Sequence, residues 1–387
     1  MRLPVNSRLN FGDAGIVPVH DFKLASGGSW ARRHFLAGGA GMALSALGGT
    51  ESVAQSGAGN RVDRNRLKRI DVHHHFIPPQ YLKEGPPSVA MSKVENWSPL
   101  RAIDDMDVHG IDISLLSFSS PYLWFPGLDN GRRLARLCND YSAQMVRDHP
   151  HRFGLFAGIP PLADSEGCLR EIEYALDDLH AQGITVMTSY GNSWLGDSTF
   201  APVWDELNRR DAVVFVHPAI PGCCTSLGYG VPPSYVELPF DTVRSVASLW
   251  FSGALERWPR IRFIFSHGGG ALPMVADRID KFGRPGKEPG SLLHDAAMQF
   301  DKLYFDTANA ANPAALAGLR AFANPGRILF GTDYPYVPLA RGVDDLAHAE
   351  ISSPQRRAIE CGNALSLMPA LLSQGNWAPL DTPVFGA

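Results

Sequence analysis

From residue 69 onward, short and almost unbroken apolar runs alternate with longer stretches in which apolar residues return every third or fourth position. The runs are RIDVHHHF (69–76), DISLLSFS (112–119), FGLFAGIP (153–160), GITVMTS (183–189), AVVFVHPA (212–219), IRFIFSHGG (261–269), LYFDTAN (303–309) and RILFGTDYP (327–335). They are rich in Val, Ile and Phe and apolar on both faces, as strands of a parallel sheet buried on both sides must be. Between them, 131–148, 166–181 and 240–257 carry amphipathic helical spacing. Strands alternating with helices eight times over about 300 residues predict an α/β fold of the (β/α)8 TIM-barrel type. The pattern places that domain at 65–375. Two stretches break the rhythm: Pro-rich 78–100 after the first strand, and 222–240, rich in Gly, Pro and Ser, after the fifth. Both predict loops over the active end of the barrel.

In such a barrel, chemistry gathers at the C-terminal ends of the strands. Several of these runs turn polar just there. The first closes with His73 and His75, the fifth with His217, the sixth with His267 and the eighth with Asp333. His73 and His75 are two apart and share a strand face, and strict alternation puts Asp71 on it too. His74 then points behind the sheet. A lone strand-end histidine is more often structural than functional. Four strand ends bearing such atoms in one barrel point instead to a cation site. Imidazoles with one carboxylate suit Zn²⁺, with Mn²⁺ as the alternative.

Composition narrows the partners. Net charge is −4 with no basic block, which argues against nucleic acid. The five cysteines are scattered without a CxxC pair, and adjacent Cys223 and Cys224 read as structural or incidental. The first 60 residues differ from the rest. Arg32-Arg33, then Phe35-Leu36 and a weakly apolar Gly/Ala run, match a twin-arginine export signal, with Ser52-Val53-Ala54 as a cleavage site. Residues 1–60 are thus expected to be signal and linker. The expected location is periplasmic, with the cytoplasm as the alternative. The apolar run is too short and too glycine-rich for a stable membrane span.

In order, DVHHHF, FVHP, SHGGG and GTDYP resemble the amidohydrolase superfamily. WSPLRAIDDMDVHGIDISLLSFSSP and NDYSAQMVRDHPHRFGLFAGIPP narrow the resemblance to its decarboxylase branch, of the aminocarboxymuconate-semialdehyde and 6-methylsalicylate decarboxylase type. The resemblance implies His73, His75, His217 and Asp333 as metal ligands and His267 as the acid/base. It implies Arg278 as a substrate-carboxylate arginine that reaches the site of a neighbouring subunit, hence a homodimer. The second arginine of the semialdehyde enzymes has no counterpart, since 81–100 offers only Lys83 and Lys93. The implied reaction is non-oxidative decarboxylation of an aromatic or enoic acid with an adjacent hydroxyl or amine. Asp333 or His267 would deliver the proton, with Asp333 favoured as donor and His267 then activating water or polarising the substrate; Trp194 and Tyr334, with Tyr336, would line the pocket. The alternative is a one-metal hydrolase of a lactone, ester or amide. The bridging lysine of two-metal relatives is missing from the fourth strand, GITVMTSYG.

Overall fold

The computed structural model describes residues 67–84, 94, 97–119, 127–225, 230–282 and 295–372. The segment expected to direct export lies outside these residues, as do the aromatic Tyr122, Trp124 and Phe125. All eight predicted strands form. They are β1 (Ile70–His75), β2 (Ile113–Ser117), β3 (Phe153–Gly158), β4 (Gly183–Met187), β7 (Val213–His217), β8 (Arg262–Phe265), β9 (Tyr304–Asp306) and β10 (Ile328–Leu329). A two-residue hairpin, β5 (Ser189–Tyr190) and β6 (Ser193–Trp194), follows β4. The main sheet runs β1-β2-β3-β4-β7-β8-β9-β10, and every adjacent pair in it is parallel.

The ring closes where the segment after β10 meets β1. Val72 N donates to Phe330 O (2.9 Å), Asp333 N to His73 O (2.9 Å) and His75 N to Tyr334 O (2.7 Å). Asp333 is thereby laid against the two strand-one histidines by backbone bonds.

Strict alternation along β1 does not survive. Ile70 pairs with Ile113 and Asp71 with Ser114, but His74 pairs with Leu116 and His75 with Ser117. Three steps on β1 match two on β2, so β1 carries one extra residue, a β-bulge. The bulge resets the parity. Ile70 and Val72 pack in the inner cluster with Phe215 and Leu329, and His73 still faces inward, its ring 5.1 Å from that of Phe215. Asp71 is therefore displaced from the inner face on which alternation puts it. It lies 3.7 Å from Nδ1 of His74, and His74 packs against Phe153 and Tyr334.

The inner apolar cluster fills the barrel floor. Phe156 stacks on Phe215 at 5.4 Å, and Leu365, Leu367 and Leu371 of the C-terminal helices join the same cluster. The floor is sealed by burial, which leaves the opposite, polar end as the place for a ligand. Around the ring the helix Leu128–Asp148 covers the predicted 131–148. The 222–240 stretch is only partly a loop. A helix runs Pro233–Phe251 with Pro239 inside it. Proline is well suited to a first helical turn, and buried Asp241, Thr242 and Ser245 anchor the rest. Among the described residues no helix is long and apolar enough to cross a membrane.

Candidate metal centre

His73, His75, His217 and Asp333 offer ligand atoms that all lie within 4.8 Å of one another. Three are placed by β1 and β7; Asp333 follows β10 by four residues. His73 and His75 are completely buried and His217 and Asp333 nearly so.

Each imidazole is held from behind. Nδ1 of His73 faces Asp306 Oδ2 at 2.8 Å, that of His75 faces Ser117 O at 3.1 Å, and that of His217 faces Pro218 O at 3.0 Å. An oxygen acceptor at Nδ1 fixes the hydrogen there and leaves Nε2 with a free lone pair. The Nε2 atoms of His73 and His75 are 3.0 Å apart, and Asp333 Oδ1 is 3.4 Å and 3.2 Å from them. Several lone pairs aimed at one dry point repel unless a cation sits among them, so the donor set fits a divalent metal. Three nitrogens and one oxygen suit a transition ion with open positions for ligand.

Electrostatics agree with this for His75 and His217. Burial pushes the His75 imidazole below its ordinary pKa. Burial, reinforced by the neighbouring imidazoles, pushes His217 well below it, so both are neutral and able to ligate. Burial also opposes a charge on His73, but Asp306 and Asp333 outweigh it and raise its pKa to about 10. A proton and a cation thus compete for one nitrogen. Burial works against the Asp333 anion, yet His267, His73 and His75 hold its carboxyl well below the usual range.

His267 lies just past β8, in a turn at Gly268 and Gly269. Its Nε2 is 3.4 Å from Asp333 Oδ2, and its side chain is more open than the ligands. The backbone here is unusual: His267, Gly268, Gly269 and Gly270 all have positive φ, from 55° to 76°. Only glycine takes such a run readily. At Gly270 a Cβ would collide with the Pro239 carbonyl. The SHGGG signature is thus a backbone requirement for turning His267 over the metal ligands.

The amidohydrolase model matches residues 70–369. The chain belongs to the amidohydrolase family. It is 35% identical to a 6-methylsalicylic acid decarboxylase of Penicillium expansum, over 79% of this chain and 97% of that protein. It is 36% identical to a decarboxylase of Aspergillus niger, over 71% of this chain and 79% of that one. Among solved structures, a dihydroxybenzoic acid decarboxylase of Polaromonas with bound manganese superposes with a TM-score of 0.68. That match is at 24% identity and covers 78% of this chain and 97% of that one. This last likeness concerns the fold.

Within this amidohydrolase the remaining sequence candidates fall unevenly. Tyr334 turns away from the centre. Its ring lies 4.8 Å from His74 and its hydroxyl donates to Asp105 at 2.7 Å. It lines a separate outer cavity of about 290 Å³ with Trp97, Arg101 and Asp105. Tyr336 takes the inner position, its ring 5.3 Å from that of His75 and its hydroxyl 2.8 Å from Ser119 Oγ. Trp194 Nε1 donates to Asp241 at 2.7 Å. Asp241 also accepts from Thr188 and Ser189. Thr188 Oγ1 in turn accepts from Ala219 N at 2.8 Å, two residues beyond His217. Trp194 thus belongs to a brace for the His217 loop. Arg278 is exposed on the helix Leu272–Phe282.

Sequence reasoning missed the anchors. Fully buried Asp306 accepts from His73 Nδ1 and from the backbone of His267 (2.9 Å) and Ala308 (2.9 Å). Asp71 accepts from Thr332 N (3.1 Å) and Thr332 Oγ1 (2.6 Å), tying β1 to the Asp333 segment. Asn309 Nδ2 donates to Asp333 Oδ2 at 2.9 Å. The FDTAN string offered a signal in retrospect, three hydrogen-bonding side chains at and just past the end of a strand.

Proposed function

We propose that this chain is a metal-dependent, non-oxidative decarboxylase of an aromatic or enoic acid bearing a hydroxyl or amine next to the carboxylate. One observation carries the reading: a buried three-histidine, one-carboxylate cluster with His267 facing Oδ2 of Asp333. The 6-methylsalicylic acid and gamma-resorcylate decarboxylases among its relatives support it.

The chemical problem is the electron pair left when CO₂ departs. A proton added to the ring carbon that bears the carboxylate makes the ring an acceptor. The carbon–carboxylate bond then breaks, its pair restores the ring, and CO₂ leaves. A bound divalent ion, Zn²⁺ or Mn²⁺, would orient the acid and its neighbouring oxygen and offset their charge. His73, His75, His217 and Asp333 would hold it. The His267–Asp333 pair supplies the proton as general acid. Because Asp333 is held ionised, the proton reaches it through the pair during turnover rather than resting on it. Tyr336 gives an aromatic wall beside His75.

Arg278 is the clamp for the carboxylate, and it serves the site of a second copy, which makes the working unit a homodimer. Light scattering, with Arg278→Ala raising KM for the acid, tests this. The Arg32-Arg33 segment marks the chain for twin-arginine export to the periplasm; Lys at both positions should keep the protein in the cytoplasm on fractionation.

The deciding experiment loads the apoprotein with Zn²⁺ or Mn²⁺ and follows CO₂ release from salicylate-like acids. Turnover of lactones or p-nitrophenyl esters with no CO₂ from any acid would replace the decarboxylase with the one-metal hydrolase.

A further inference from the structure

The two oxygens of Asp333 have separate company. Oδ1 lies 3.4 Å and 3.2 Å from Nε2 of His73 and His75. Oδ2 accepts from Asn309 Nδ2 at 2.9 Å and lies 3.4 Å from His267 Nε2. We propose that Asn309 is a positioning residue that divides the Asp333 carboxylate, keeping Oδ1 for the cation and Oδ2 for proton exchange with His267. The second half rests on the decarboxylase reading; the first concerns the metal centre alone.

The physical reason is the freedom of an untethered carboxylate. It has two equivalent oxygens and about four lone-pair sites, and near a divalent ion both oxygens can bind at once. That would fill a coordination position which an acid and its neighbouring hydroxyl need, and would pull Oδ2 away from His267. An amide N–H on Oδ2 prevents the rotation. Asn309 sits three residues past β9, exposed at the barrel mouth, and its φ is 56°. Among side-chain-bearing residues, Asn is one of the few that takes this left-handed conformation readily. One residue thus meets both a backbone demand and a donor demand.

The backbone demand makes the test clean. Asn309→Gly keeps the positive φ at no steric cost and removes only the amide. Asn309→Asp keeps shape and backbone but sets a second carboxylate against Oδ2. Apoprotein of each is refilled with Mn²⁺, and three quantities are read: the Mn²⁺ electron paramagnetic resonance spectrum, affinity by chelator competition, and kcat and KM on a salicylate-like acid. Melting of the apoproteins checks folding. With Asn309→Gly the spectrum changes, kcat falls about 10–100-fold, the range for outer-shell partners of metal ligands, and KM for the acid rises. With Asn309→Asp the extra negative charge tightens Mn²⁺ binding while kcat still falls. An Asn309→Gly protein with the wild-type spectrum, or with the wild-type kcat, overturns the proposal. Should no acid be decarboxylated even by the unaltered chain, the spectrum and affinity still decide the Oδ1 half, and the failure belongs to the assigned reaction.

Discussion

Asp306→Asn is a nearly isosteric change with a calculable consequence. Asp306 Oδ1 accepts two backbone N–H groups, of His267 and Ala308, both at 2.9 Å. In the variant the amide oxygen must stay there, since turning the NH₂ toward two donors would strand three donors together in a fully buried place. The NH₂ then faces His73 Nδ1, which is 2.8 Å from Oδ2. A donor at that point forces Nδ1 to accept and moves the ring's hydrogen to Nε2, the nitrogen needed for the cation. Metal binding must displace that hydrogen or break the new bond. Outer-shell changes of this kind cost about 10–100-fold in affinity, or ~1.4–2.7 kcal/mol. The assay is chelator competition for Zn²⁺ and Mn²⁺, with the apoprotein's melting temperature as a folding control. A variant that binds both ions as tightly as the parent would refute the tautomer argument. A variant that loses affinity only because its apoprotein is unfolded would refute it equally.

His267→Ala should lower kcat by about 10²–10⁴-fold, the usual worth of a general acid, while elemental analysis still finds a full complement of metal; loss of metal would make His267 a ligand instead. Metal at 100 times its dissociation constant should stabilise the fold by about 2.7 kcal/mol, seen as a melting temperature several degrees above that of the chelator-treated protein, and coincident melting curves would contradict the centre. Asp164 caps the helix Ser165–Glu173 and accepts two bonds from Arg132, at 2.7 Å and 2.6 Å. Arg132 is the main cause that holds its carboxyl below the ordinary value. A depressed folded pKa stabilises above the unfolded value of about 3.9 and stops doing so as pH falls through the folded one. Asp164→Ala should therefore cost about 0.5–2 kcal/mol at pH 6, and less by pH 2 in urea titrations, whereas a cost independent of pH would discard the ion-pair contribution.

The barrel was legible because burial on both faces writes a near-continuous apolar run, and all eight runs became strands in the order read. The ligands were legible for the opposite reason: an imidazole or carboxylate ending such a run has nothing apolar to do there. What failed was parity. Nothing in DVHHH announces that β1 carries an extra residue, so Asp71 was assigned inward by alternation and instead braces Thr332. At GTDYPY alternation holds for one step only: Asp333 faces in and Tyr334 out, but Tyr336, which alternation would put out as well, lies against His75. Asp306 and Asn309 were hidden because β9 is three residues long, and an Asp after a short run looks like any solvated strand end. The 222–240 stretch misled because Pro232 and Pro233 begin a helix and Pro239 is carried inside it, where proline more often breaks one.

The ring order has a practical consequence. His73 and His75 come from the first strand, His217 from the fifth in the ring and Asp333 from beyond the last. A chain cut between β4 and β7 would yield two fragments, one with two of the donors and one with the other two. Neither fragment could hold the ion tightly by itself. Metal retention would then report that the two fragments had reassembled, and the centre would double as a built-in sensor of barrel completion.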